Sequence, residues 1–191
     1  MAGDLFEHEL TEHLAVANAV RDGLAVPFAA MRSLWLSTIQ GGGKILFFGN
    51  GGSAGDAQHL ATELTIRYSR DRKPIAAIAL TTDSSALTAG GNDLGFDRIF
   101  ARQLEALGRK GDLALGISTS GRSPNVLAAF TMARSMGLAT AALTGAGPHR
   151  LSDYCDLVLA VPSTVTARIQ EMHITLGQML CAALERDLGL V

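Results

Sequence analysis

Four short stretches of this chain carry residues whose types and spacing could do chemistry. His59 and Glu63 stand four apart in a segment of helical periodicity, so both lie on one face, where they can share a proton or reach one metal ion. Alone, such a pair is more often a surface hydrogen bond. Gln170 and Gln178 belong to a later helical stretch. They fall within about 80° of each other around the helix and about 12 Å apart along it. Both can face one site, although a single ion would stretch them, and satisfied interface glutamines would look the same. Ser118-Thr119-Ser120-Gly121-Arg122-Ser123-Pro124-Asn125 follows an apolar run and opens a helix, with Ser123 placed as N-cap and Pro124 as first helical residue. Helix-start N–H groups and the helix dipole favour an anion, and hydroxyls can surround a phosphate without adding charge. A capping turn accounts for Ser123 but leaves Ser118, Thr119 and Ser120 without a role. Gly49-Asn50-Gly51-Gly52-Ser53 lets the backbone approach a ligand, with Ser53 as cap and Asp56 three residues on, yet glycine-rich turns are common in α/β proteins.

These stretches need a scaffold, and the hydrophobic pattern supplies one. Short apolar runs at Lys44 to Gly49, Ile75 to Leu80, Leu113 to Ile117, Leu138 to Leu143 and Leu157 to Val161 read as doubly buried strands, with helical segments between them. The series predicts a three-layer, doubly wound, five-stranded parallel sheet of flavodoxin-like type, whose ligand site lies beyond the carboxyl ends of the strands. Two helices between about Leu5 and Gln40 precede it, broken near Val26-Pro27, and a last helix runs from about Thr166 to Leu188. The whole chain, 1–191, reads as a single domain, with the helical pair 1–40 packing on it and in an oligomer interface.

Composition narrows the function classes. With 191 residues and 48% apolar content the chain can fill one core, and a net charge of −2 with scattered Lys and Arg gives no support for nucleic-acid binding. The acidic N-terminus is unlike a signal peptide and no segment reaches membrane-spanning length, so a cytoplasmic protein with no membrane partner is expected. Cys155 and Cys181 read as small buried hydrophobes.

In combination and order, the motifs resemble those of the phosphoheptose isomerases, also called sedoheptulose 7-phosphate isomerases, which are built on one SIS (sugar isomerase) domain. The resemblance runs almost end to end. It rests on Gly49 to Ser53, the His59 and Glu63 pair, Asn92-Asp93, Ser118 to Ser123, and Arg168-Ile169-Gln170-Glu171. It implies an aldose–ketose isomerase making D-glycero-D-manno-heptose 7-phosphate for heptose nucleotides, including those of lipopolysaccharide. It also implies a homotetramer with interfacial active sites and one zinc ion per subunit. On that resemblance Asn50, Gly51, Gly52 and Ser53 contact the sugar, Asn92 and Asp93 add a second contact, and Ser118, Thr119, Ser120 and Ser123 bind the phosphate. His59, Glu63, Gln170 and Gln178 fall on the zinc-holding positions. Glu63 and Gln178 fall on the acid/base pair, and Gln170 also on a substrate contact.

One position departs from the family pattern, because residue 178 is usually histidine. Glutamine cannot titrate and its amide oxygen is a poorer zinc ligand than imidazole. Three readings of Gln178 stay open: a natural branch using another proton carrier such as His173 or water, a protein that binds without turnover, or an engineered substitution. Two rival functions also stay open. One is a non-catalytic SIS protein resembling the replication-initiator-associating factor, although that relative typically lacks the Glu63 carboxylate. The other is an isomerase of another long-chain sugar phosphate, such as an octulose phosphate.

Overall fold

The structure, a computed structural model, describes residues 2–191. Five apolar runs form strands β1 (Ile45–Gly49), β2 (Ala77–Ala79), β3 (Leu113–Ile117), β4 (Ala139–Gly145) and β5 (Leu157–Val161), all parallel, in the order β2-β1-β3-β4-β5. This is the flavodoxin-like order expected from the pattern. The runs are continuously apolar because successive side chains enter different cores. Phe47, Leu115, Ile117 and Leu143 join one cluster, and Leu46, Phe48, Ala114 and Ala142 the other.

The first core is roofed by α2 (Ala25–Gln40), α3 (Gly52–Thr65) and α7 (Thr166–Asp187), with Trp35 edge-on to Phe47 at 5.6 Å between ring centroids. The second lies under α5 (Ile99–Leu107) and α6 (Pro124–Ser135), with α4 (Ser84–Asp93) alongside. Helix α1 (Ala2–Gly23) packs on α7 and α2 and leaves Leu5, Phe6, Leu10 and Leu14 exposed. Among the described residues no single helix is long and apolar enough to cross a membrane.

Two boundaries differ from expectation. The α1/α2 break falls at Leu24 rather than at Val26-Pro27. A proline ring clashes with the carbonyl four residues back, which for Pro27 is Gly23, so the interruption lies one turn before the proline itself. Strand β2 has three residues instead of Ile75 to Leu80. It is an edge strand paired only with β1, and its ladder tapers into the single bonds from Ile45 N to Ala76 O and from Leu80 N to Phe47 O.

Helices α3 and α7 touch along their length, and the matching of positions shows that they run parallel. Gly52 meets the Gln170 side chain near their starts, and Gly177 meets Leu60 further along. A Cβ on Gly177 would lie 2.6 Å from both terminal carbons of buried Leu60, so only glycine permits this approach. Gly177→Ala is therefore expected to destabilise the fold by about 1–3 kcal/mol through overpacking, read as a lower melting temperature. Adding Leu60→Val should recover part of the loss, since the two changes share one space. Additive losses would show that the helices do not meet there.

Candidate active site

The order of the strands puts a crevice between β1 and β3. Helix α3 leaves β1 for one face of the sheet and α6 leaves β3 for the other, so their connecting loops diverge at the carboxyl ends of adjacent strands. Two amides bridge the gap. Asn50 Nδ2 donates to Asn125 Oδ1 at 2.9 Å and Asn125 Nδ2 donates back to Asn50 Oδ1 at 2.8 Å. The Asn50 side chain thus ties the two loops together. Asn125, 1% exposed, is a site element that sequence reasoning passed over, because its partner is 75 residues away.

The first loop turns by Gly51, which adopts φ +56° and ψ −122° and itself caps α3. Ser53 is not the cap expected of it. It is buried inside the first turn, its N–H bonded to Asn50 O, because the helix begins two residues earlier than a cap at Ser53 requires.

The hydroxyl loop behaves differently from an ordinary cap as well. Ser123 is the N-cap of α6 and Pro124 follows at N1, as expected, but its hydroxyl makes no capping bond among the described residues. It meets Ser118 Oγ at 3.1 Å instead. Ser120 Oγ accepts from Arg122 N at 3.3 Å, and Thr119, Ser120 and Arg122 share a small recess with Thr164 and Thr166 at the start of α7. The last two threonines carried no motif that could have marked them.

The helix-borne residues come together. His59 Nε2 lies 2.9 Å from Glu63 Oε1, and Gln178 Nε2 lies 3.0 Å from the same imidazole nitrogen and 3.5 Å from the same carboxylate oxygen. Half of the His59 side chain is open to solvent whereas Glu63 is 17% exposed. One ring nitrogen cannot both donate to Glu63 and accept from Gln178. Turning the Gln178 amide over presents its oxygen instead, and all three groups then offer lone pairs to one point, a donor set that fits a cation. Gln170 lies against Gly52 at the first loop and forms no hydrogen bond to this trio among the described residues. Asn92 and Asp93 are exposed at the end of α4, with Asn92 Nδ2 donating to Asp93 Oδ1 at 2.6 Å, and no hydrogen bond joins them to the other candidates. A separate His/Glu cluster, His8, Glu9 and Glu12, also brings ligand atoms within 4.8 Å on α1, but it faces solvent and Glu9 Oε2 is held by Arg168 at 3.0 Å.

Comparison with known proteins places this geometry. A SIS-domain family model matches residues 10–145. A phosphoheptose isomerase of Paramagnetospirillum magneticum is 51% identical over 179 residues, covering 94% of this chain and 93% of that protein. The chain belongs to the phosphoheptose isomerase family. The structures agree. Phosphoheptose isomerase from Francisella tularensis superposes with a TM-score of 0.94 at 34% identity, over 97% of this chain and 99% of that one. The Neisseria gonorrhoeae phosphoheptose isomerase gives 0.91 at 41% identity, over 97% and 100%.

Within this phosphoheptose isomerase framework a buried histidine and a half-buried aspartate titrate far from their usual range. His173, one helical turn from Gln170, is fully buried, bonded through Nε2 to Thr144 O at 3.1 Å, with Nδ1 unpartnered among the described residues. Burial lowers its pKa to about 4, against a weaker opposing effect of the Thr144 carbonyl. It is neutral at physiological pH and closed to substrate, which removes one of the alternative proton carriers that the sequence left open. Asp56, half-buried in the first part of α3, is raised to about 6 by desolvation, with His59 pulling the other way.

The two act on stability with opposite signs. The unfolded chain protonates His173 near pH 6.5 but the folded chain only near pH 4, so stability is full above that window and is lost as pH falls through it. Asp56 keeps its proton in the fold up to about pH 6, so its effect costs stability as pH rises from 3.8. His173→Met, which cannot titrate, should therefore gain about 3 kcal/mol on the parent chain between pH 7 and pH 4 in urea unfolding. A constant difference across that range would mean that His173 is not held neutral.

Proposed function

We propose that this chain is an aldose–ketose isomerase that interconverts sedoheptulose 7-phosphate and D-glycero-D-manno-heptose 7-phosphate for heptose nucleotide synthesis. Two devices carry the reading, one on each of the connections that leave adjacent strands β1 and β3: the Ser123 hydroxyl freed from helix capping on the β3 loop, and the His59, Glu63 and Gln178 cluster on the helix that follows β1. The first suits a phosphate and the second a carbonyl end. The presence of Glu63 favours an enzyme over a binding protein in one respect only, that a carboxylate stands where proton abstraction needs one.

In the reaction a base removes the proton on the carbon beside the carbonyl, and the enediol is reprotonated on the neighbouring carbon. Glu63 is the base, set in a partly dry position with its carboxylate turned toward the cluster. Gln178 orients by hydrogen bonding and moves no proton. With His173 sealed in the core, the complementary transfer falls to solvent reaching the open side of His59. Ser118, Thr119, Ser120 and Ser123 hold the phosphate, the first loop and Gln170 position the chain of hydroxyls, and Asn92 with Asp93 adds a contact from α4. His59, Glu63 and Gln178, joined by Gln170, are the residues that would hold zinc, and zinc bound there supplies positive charge beside the substrate carbonyl. The exposed apolar residues of α1 and Met179 of α7 support a cytoplasmic homotetramer in which helices of neighbouring subunits cover one another and border the sites.

Two measurements test the halves separately. Ser120→Ala with Ser123→Ala should weaken sedoheptulose 7-phosphate binding at least about tenfold by calorimetry, because hydrogen bonds to charged groups contribute about 1.5–3 kcal/mol each. Unchanged affinity would move the phosphate elsewhere. Gln178→His should raise isomerisation about 10²–10⁴-fold and increase bound zinc, since it restores a group that titrates near neutrality. If the unaltered chain already turns over as fast, residue 178 is not part of the proton path.

A further inference from the structure

The connection that follows α3 returns an arginine to that helix. Arg72 Nη2 donates to Glu63 O and Nη1 to Leu64 O, both at 2.7 Å, so its guanidinium satisfies the last carbonyls of α3 and grips the backbone of Glu63 itself. On its other edge Nε donates to Glu185 Oε1 at 2.7 Å, and the same oxygen accepts from Tyr68 N at 3.1 Å. Both side chains are 1% exposed, and Glu185 Oε2 is buried without a partner among the described residues. Glu185 lies seven residues after Gln178, which is two turns along α7 and nearly the same face.

From this geometry we infer that Arg72 and Glu185 are positioning residues for the isomerisation: a buried ionic clamp that sets Glu63, on α3, against Gln178, on α7. The inference rests on the functional reading above. Packing alone explains why α3 and α7 touch at Gly177 and Leu60, but an apolar contact leaves a helix free to slide by fractions of an ångström along its neighbour. A forked cation bonded at once to the α3 backbone and to an α7 carboxylate removes that freedom. It does so at the main chain of the residue that moves the proton. Ion pairs sealed from water contribute little or nothing net to stability when well-packed apolar side chains can replace them. A desolvated arginine aimed at the main chain of Glu63 is thus better accounted for by alignment than by folding energy. Lysine could not substitute, since one ammonium cannot span two carbonyls and a carboxylate as the planar fork does.

The test compares the full chain with Arg72→Met/Glu185→Leu, which removes both charges together, and with Arg72→Lys and Glu185→Gln. Each is checked for folding by circular dichroism and thermal melting. Zinc affinity is measured by competition with a chromophoric chelator, and kcat and KM with sedoheptulose 7-phosphate. The double variant should fold, keep KM within about twofold, and lose about tenfold or more in kcat and in zinc affinity, as displaced catalytic and ligand-supporting groups do. Arg72→Lys should fall between it and the parent, since the lysine keeps a charge partner for Glu185 but not the fork. A folded double variant with parental kcat and zinc affinity would overturn the clamp while leaving the isomerase reading intact. Should the double variant fail to fold, the same criteria apply to Arg72→Lys and Glu185→Gln. A parent chain that neither isomerises the sugar phosphate nor binds zinc would end the functional reading, and the clamp's role with it.

Discussion

The site depends on how closely α7 can lie along α3. The two helices are far apart in sequence and parallel in space, and what brings their axes together is the absence of a side chain at Gly177 opposite Leu60. Everything polar between them follows from that distance. With the helices close, Gln170 reaches Gly52 at the first loop, and Gln178 reaches His59 and Glu63. A wider gap would leave the same residues on the same faces but beyond hydrogen-bonding reach, and the cluster would dissolve into three surface side chains.

The two ends of the sheet handle polar groups in opposite ways. At the amino ends of the strands, carboxylates fasten the backbone: Asp112 accepts from Lys44 N at 2.9 Å and Arg109 N at 2.8 Å, and Asp156 accepts from Thr140 N at 2.9 Å and its hydroxyl at 2.8 Å. These bonds pin strand starts. At the carboxyl ends the Asn50 and Asn125 amides satisfy each other, but the serine hydroxyls bond weakly among themselves and the recess beside them is lined by further hydroxyls. Stability is concentrated at one edge and binding capacity at the other, the division expected of an open α/β sheet.

Much of this was legible from residues alone, for a definite reason. Strands such as Ile45–Gly49 and Leu113–Ile117 bury both faces and so announce themselves as unbroken apolar runs, whereas β2, at an edge, pairs on one side and shortens. Helical phase is fixed by 3.6 residues per turn, which is why His59 with Glu63, and Gln170 with Gln178, could be placed on shared faces. Phase says nothing about which helix faces which. The Asn50 and Asn125 pair, the Arg72 and Glu185 pair and the burial of His173 all depend on partners 29 to 113 residues distant, and no local pattern encodes them. The misplaced cap at Ser53 and the missing capping bond at Ser123 have a smaller cause. Ser53 and Ser123 have the side chains of N-caps, but Gly51 takes the first role by its backbone, and Ser118 draws away the hydroxyl of the second.

Gln178 separates two properties that histidine would combine. Its amide nitrogen stands 3.0 Å from His59 Nε2, a hydrogen-bonding separation, so the amide fills its place in the cluster without disturbing the helices that frame it. Shape and hydrogen bonding are therefore retained while titration is not. The hydroxyl loop belongs to β3 and α6, not to α3 or α7, and is linked to the first loop through Asn50 and Asn125 rather than through residue 178. Under the proposed function, binding and proton transfer thus rest on different parts of the structure. Under that same function a change at position 178 acts on the second and on metal affinity, and leaves the first with all of its hydroxyls in place.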